Sequence, residues 1–486
     1  MDTLSFFWHD YETFGRVPRR DRPAQFAGIR TDAGLNELDD AVMLYCKPAP
    51  DYLPDPESCL LTGIVPQQCL AQGVPEPEFA ARIEQALARP GTIGVGYNSL
   101  RFDDEVTRHL FWRNLIDPYA REWQNGCGRW DLLDVVRCAY ALRPDGIEWP
   151  RHDDGRPSFK LEHLSAANGL AHEAAHDALS DVRATIALAR LIRDRQPRLW
   201  DFCLKLRSKD AVIDEIGVGR PFLHVSGMYS AERGCMALVW PLAPHPVNRN
   251  ELIVWDLSED PALLAGLDAA AIRERLYTRQ DELPEGVKRL PIKTLHLNRS
   301  PIVIGQLKTI SAQTAERWQL DLALAMRHAE LAARQPAPPA ELWRDVFVRP
   351  PAATPPDVDE DLYGGFVGRN DRRLLDRLRT LPPAELAMQR PSFEDPRLEE
   401  ILFRYRARAY PETLDDDERR RWQTHCSERL HDGAGGALTL QRFFERIDEL
   451  NDEADERGQD ILGALVDYAQ DIAPGRPLTP PGHRAP

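Results

Sequence analysis

Apolar positions along this chain fall first into short unbroken runs and later into helical spacing. Residues 3–9 read as a buried strand, and the stretch FFWHDYETFG carries two acids, Asp10 and Glu12, to its edge. Side chains alternate across a strand, so both acids share one face. IGVGYNSL (93–100) reads as another strand entering a turn. EVTRHLFWRNL (105–115), DLLDVVRCAYAL (131–142), LEHLSAANGL (161–170) and DVRATIALARLIRDR (181–195) have the spacing of helices. Strands and helices therefore interleave over residues 1–195, the pattern of an α/β domain.

From about residue 200 the texture changes. FLHVSGMYS, CMALVWPLA, ELIVWDLS and LPIKTLHLNRSPIVIG are short β-like runs split by Gly, Pro and Asn. They predict a small barrel or sandwich over 196–350, with a helical insert near DAAAIRERLYTR and a closing helical segment, AERWQLDLALAMRHAELAARQ. A proline-rich link, PAPPAELWRDVFVRPPAATPPDVDED, leads to charged amphipathic helices over 351–472. Residues 473–486 read as a disordered tail.

Composition narrows the class without naming it. A chain of 486 residues implies two to four domains. No apolar stretch reaches the roughly 18–20 residues that span a bilayer. The N-terminus lacks a basic leader and runs straight into acids. Eight cysteines (46, 59, 69, 127, 138, 203, 235 and 426) form no CxxC pair, which argues for reduced thiols in a cytoplasmic protein and against structural zinc. The net charge of −16 argues against a protein that simply coats nucleic acid. It leaves room for an enzyme that threads a strand through a local basic groove.

Two further acidic features join Asp10 and Glu12. NSLRFDDE places Asp103, with Asp104 and Glu105, where a strand hands over to a helix, and HDALSD places His176 five residues before Asp181. Five residues on a helix turn side chains about 140° apart. His176 and Asp181 can thus serve one site only if the histidine sits on the approaching loop. Asp177 at the junction suits a helix N-cap. Asp10, Glu12, Asp103 and Asp181 form an all-oxygen set suited to Mg²⁺ or Mn²⁺, with an imidazole nearby whose ordinary pKa suits a general base. Two such ions activate water and stabilise the leaving oxygen of a phosphodiester. Each piece alone is commonplace: a DxE on a strand is more often an exposed edge, and an FDD before a helix is more often a cap.

HDYET, YNSLRFDDE and HDALSDVRAT resemble the three motifs of the DEDDh exonuclease superfamily, which has an RNase H-like fold. DRPAQFAGIRTD, DYLPDPESCLLTGIVPQQ, RWDLLDVVRCAYALRPDGIEWP and SGMYSAERG resemble the bacterial exonuclease I family more closely. HVSGM, HPVNRN and RERLYT match that family's SH3-like domain, and ILFRYRARAYPETL its helical C-terminal domain. The resemblance covers about 1–470. It implies a DEDDh exonuclease domain over 1–195, an SH3-like domain over 196–350 and an α-helical domain over 351–472. It also implies a monomeric 3′→5′ exodeoxyribonuclease acting on single-stranded DNA in repair and recombination. Carried over residue by residue, Asp10, Glu12 and Asp181 hold two Mg²⁺ ions (Mn²⁺ can substitute), Asp103 helps with the second, and His176 is the base. The choice of Asp103 over Asp104 rests on the family's acid following a Phe; spacing alone leaves both open. Glu12 and Lys160 would touch the substrate, the latter where the family has a basic residue near the scissile phosphate. Lys keeps the charge there and loses the fork of a guanidinium.

Residues 108–137 interleave basic and aromatic side chains, the composition of a single-strand stacking surface. Arg108, Tyr119, Trp123 and Arg137 align with DNA-facing positions of the family, while Trp112 and Trp130 read as core. Arg233, Asn248, Arg249 and Tyr363 are weaker candidates. Family members bind the acidic C-terminal tail of single-strand DNA-binding protein, and Arg143 matches a basic residue of that pocket. Two rival readings stand beside this one: a related enzyme acting on RNA, and a non-catalytic DNA-binding scaffold with a decayed site.

Overall fold

The computed structural model describes residues 4–171, 177–348 and 356–474. The chain divides into two compact units, one of residues 1–128, 173–183 and 353–486, the other of residues 129–172 and 184–352.

The first unit is built on strands β1 (Ser5–Thr13), β2 (Pro23–Thr31), β3 (Val42–Tyr45) and β4 (Thr92–Gly96), laid side by side as β3-β2-β1-β4. β1 is central. It pairs antiparallel with β2, with Asp10 opposite Ala27 and Glu12 opposite Gln25, and parallel with β4 only from Ser5 to Trp8. Asp10 and Glu12 thus lie beyond the carboxyl end of the parallel pairing, where open α/β sheets hold their ligands. The strand is buried on both faces, which is why its sequence reads as a nearly continuous apolar run. Phe7 and Tyr11 point into a core with Phe26 of β2 and with Phe79, Ile83, Val106 and Leu110 from helices Glu76–Leu87 and Asp103–Arg113. Gly28 permits this packing, since a Cβ there would lie 2.3 Å from Phe7 Cζ.

The helix expected over 105–115 begins two residues earlier, at Asp103, with Phe102 in the cap position and no side-chain cap. Asp103 and Asp104 are therefore first-turn residues rather than caps. The helices of residues 356–472 pack onto the same unit. Leu375, Leu378, Leu398 and Ile401 surround Trp112 and Leu115, while Leu430, Phe443 and Leu465 bury Phe14, Tyr52 and Cys59. Helix Asp416–Asp432 carries a full capping box, Asp415 with Glu418, and stops at Gly433 in the left-handed region (φ 72°).

The second unit holds an antiparallel sheet in the order Ile302–Ile304, Phe222–Val225, Met236–Pro244, Glu251–Asp256, Ile292–His296. The expected insert is the helix Ala269–Tyr277. The stretch read as a proline-rich link departs from expectation, because Ala340–Phe347 forms a helix within it. Pro339 takes the cap position, and Trp343 and Val346 are buried. Arg273 Nη1 donates to Asp345 O at 3.2 Å and to Val348 O at 3.4 Å, tying this helix to the insert. Prolines flanking a segment restrict its ends and leave an amphipathic interior free to coil. All eight cysteines are buried free thiols. No helix among the described residues is long and apolar enough to cross a membrane. The tail expected to be disordered lies, from residue 475 on, outside the described residues.

Candidate active site

Ligand oxygens of Asp10, Glu12 and Asp181 lie within 4.8 Å of one another. Two come from the same face of β1. The third stands in the first turn of helix Ala178–Arg195, the position that brings a side chain back toward the sheet. Asp103, from the helix after β4, is buried, and its Oδ1 accepts the Tyr11 backbone N–H at 3.1 Å. That bond spans 92 residues of sequence and sets the fourth carboxylate beside the first two.

Electrostatics distinguish Asp103 from Asp104. Burial raises the Asp10 carboxyl well above the usual range, and Asp103, Glu12 and Asp181 raise it further, against a lowering hydrogen bond from the Tyr11 backbone. Glu12 is pushed up to about 9 by burial first, then by Asp181, Asp103 and Asp177. Asp104 is not among the leading causes of either shift; it pairs with Arg121 at 2.5 Å. Asp103 thus adjoins the cluster through Tyr11, and Asp104 turns toward Arg121.

The donor set fits hard divalent cations. Carboxylates gathered without an internal cation repel one another and hold protons at neutral pH, and a dication at their centre relieves both costs. Oxygen-only donors favour Mg²⁺ or Mn²⁺.

One positioning residue escaped the sequence reading. Gln25, fully buried and opposite Glu12, accepts the Ala178 N–H at 3.1 Å through Oε1 and donates Nε2 to Asp177 Oδ1 at 3.2 Å and to the Tyr45 hydroxyl at 3.1 Å. Asp177 in turn accepts the Ser180 N–H at 3.1 Å, the N-cap role expected of it. Gln25 therefore anchors the start of the helix that carries Asp181. A polar residue inside the apolar run PAQFAGI was the available signal. His176 lies outside the described residues.

The other expected site residues vary in setting. Arg108 is buried. Its Nε and Nη2 reach Glu122 at 2.7 and 2.9 Å, and Nη1 reaches Glu105 at 2.8 Å and the Tyr363 hydroxyl at 3.0 Å. Its guanidinium lies over the Tyr119 ring, 5.3 Å from the centroid. Trp123 is 65% exposed and Tyr363 58%. Trp112 and Trp130 are core. In the second unit, Lys160 Nζ stands 3.3 Å from Glu162 on an exposed helix start. Arg137 pairs with Asp134 at 2.6 Å and lies over Phe159. Arg143 follows the last turn of helix Leu132–Leu142 and donates Nη1 to Leu142 O at 2.5 Å. Arg233 pairs with Asp256, Asn248 with Glu251, and Arg249 is exposed.

Three family models match along the chain: Exonuclease over residues 7–189, Exonuclease I SH3-like domain over 207–349, and Exonuclease I C-terminal domain over 356–472. Exodeoxyribonuclease I of Escherichia coli strain K12 is 46% identical over 473 residues, covering 96% of this chain and 98% of that protein. Among solved structures, a moderately thermophilic exonuclease I from Methylocaldum szegediense superimposes with a TM-score of 0.92 at 48% identity, over 96% of this chain and 99% of that one. A zinc-bound complex of the E. coli enzyme with single-stranded DNA superimposes with a TM-score of 0.90 at 42% identity, over 97% and 100%.

Proposed function

Since this chain belongs to the exonuclease I family, we propose that it is an exodeoxyribonuclease that degrades single-stranded DNA from the 3′ end, releases 5′-mononucleotides and serves DNA repair and recombination in the cytoplasm. The observation that carries the reading is the meeting of Asp10, Glu12 and Asp181, with Asp103 adjoining, beyond the end of the β1–β4 pairing. The relatives' DNA complexes support the substrate class.

Asp10, Glu12, Asp103 and Asp181 are the residues that would hold two Mg²⁺ ions. When bound, the ions supply an activated water and charge stabilisation for the leaving oxygen. The protein's own part is positional. Tyr11 N–H fixes one Asp103 oxygen, and Gln25 fixes the start of the Asp181 helix. His176 takes the proton of the attacking water as general base. Lys160 neutralises charge on the scissile phosphate. Glu12 contacts the terminal nucleotide. Tyr119 and Trp123 offer stacking faces to successive bases, and Arg108 and Arg137 supply positive charge along the strand. Arg143 belongs to a surface that takes the acidic tail of single-strand DNA-binding protein.

Product analysis tests this. The protein is incubated with 5′- and 3′-labelled single strands, DNA and RNA, with and without Mg²⁺. Mononucleotides released first from the 3′ label, on DNA and only with Mg²⁺, are the expected result. Release from the 5′ end, or undiminished digestion in EDTA, would overturn it.

A further inference from the structure

Consecutive helical residues point about 100° apart, so Asp103 and Asp104 cannot both face the carboxylate cluster. Val106 and Leu110 seat helix Asp103–Arg113 on the core, but its start has no side-chain cap, so what holds the first turn is a separate question. Two helix faces carry the answer. Asp103 and Thr107 face β1: Asp103 Oδ1 accepts the Tyr11 N–H at 3.1 Å, and Thr107 Oγ1 lies 2.9 Å from the Tyr11 hydroxyl. Asp104 and Arg108, four apart, share the adjoining face and meet the segment Asp117–Glu122. There the charges cross in register, Asp104 with Arg121 at 2.5 Å and Arg108 with Glu122 at 2.7 Å.

The inner pair is the informative one. Asp104 and Arg121 are each 2% exposed. Arg121 Nε and Nη1 are buried with no hydrogen-bond partner among the described residues, and Nη2 donates to Asp104 Oδ1. β4 is shaped around it. A Cβ at Gly94 would stand 3.2 Å from Arg121 Nη1 and 3.5 Å from His9 Nε2. The segment is itself pre-set, since Asp117 Oδ1 accepts the N–H groups of Tyr119 and Ala120 at 2.9 and 3.2 Å. A buried ion pair is weak evidence for stability, and in some proteins such a pair specifies register.

We propose that the Asp104–Arg121 pair is a positioning device for the site: it fixes the rotation of helix Asp103–Arg113 so that Asp103 faces the metal cluster. The proposal rests on the metal-dependent reading of that cluster. Asp104 and Arg121 touch neither metal nor DNA; they act through Asp103.

Mn²⁺ binding tests it, read by electron paramagnetic resonance of the free ion, with melting recorded in parallel. Asp104→Ala should weaken at least one Mn²⁺ site by about 10-fold or more, the scale of losses beyond the direct ligands. Asp104→Asn keeps an oxygen acceptor for Arg121 and should restore binding to within about 3-fold of the parent. The double variant Asp104→Leu/Arg121→Met replaces the pair with apolar bulk, often neutral for stability. It should melt near the parent and still bind Mn²⁺ weakly, a combination that a merely stabilising role would not produce. If Asp104→Ala, or the double variant where the alanine does not fold, binds Mn²⁺ as the parent does, the positioning role is overturned and the metal reading stands. If the parent binds no Mn²⁺, the metal reading falls and takes this inference with it.

Discussion

Two groups of buried carboxylates in the first unit have opposite electrostatics. Around β1, burial and mutual repulsion drive Asp10 and Glu12 upward. Elsewhere, Asp51, Asp357 and Asp359 sit among Arg22, Arg404, Arg408 and Arg429. Arg408 meets Asp51 at 2.7 Å and Asp359 at 2.5 Å, Arg22 meets Asp359 at 3.0 Å, and Arg404 meets Asp357 at 2.7 Å. Burial alone would raise Asp51 and Asp359 too, but Arg408 and its neighbours outweigh it and hold both well below the ordinary carboxylate range. The second group is compensated from within and joins the residue 357–359 segment to the strands and the C-terminal helices. In the first, the forces that raise Asp10 and Glu12 are burial and other carboxylates. An acid cluster whose repulsion is left standing in the interior marks a place for an external cation, whereas a neutralised one marks architecture.

The strongest test of the contrast is Asp10→Asn. Removing a cluster acid should cut Mg²⁺-dependent degradation of a labelled single strand by on the order of 10³-fold or more, the scale of a lost preorganised charge contact. Binding of the same strand in EDTA should be largely retained, measured by fluorescence anisotropy. Next comes Arg408→Met. It strands Asp51 and Asp359 without their shared guanidinium and should lower stability by about 3–5 kcal/mol in urea unfolding, the usual result of breaking a buried pair.

The pH dependence of the metal-free protein separates the groups by sign. Glu12, ordinarily near 4.5 and here about 9, binds its proton more tightly when folded. Its contribution is fully present below pH 4.5 and is lost as pH rises toward 9, so stability in EDTA falls over that window. Mg²⁺ should flatten the fall, and Glu12→Gln should remove much of it. Asp51 and Asp359 do the reverse. Their contribution is present above the ordinary Asp value of 3.8 and is lost only as pH drops below it. Urea melts across both windows would collapse the comparison if the two slopes shared a sign. The smallest effect is expected at Gln25→Leu, which releases the Asp181 helix start. The Mg²⁺ concentration for half-maximal activity should rise about 10-fold, a typical loss for a residue behind the ligands, with modest change in melting.

Several features were legible because they are local. Alternation along FFWHDYET puts Asp10 and Glu12 on one face wherever the strand goes, and helical spacing fixes residues 181–195. Asp177 was recognisable as a cap because capping is a matter of a few adjacent residues. The helix Ala340–Phe347 was missed because prolines on both sides dominated the reading, while the burial of Trp343 that sustains it comes from distant chain.

The sequence by itself determined which acids are available and which face of their own element each occupies, since strand and helix periods are properties of the backbone. Only the tertiary structure decided which of Asp103 and Asp104 turns toward β1, that Gln25 anchors the Asp181 helix, and that Asp51 meets guanidinium groups while Asp10 meets other carboxylates. A carboxylate's charge state depends on burial and on neighbours within a few ångströms, and those neighbours lie up to 378 residues away along the chain.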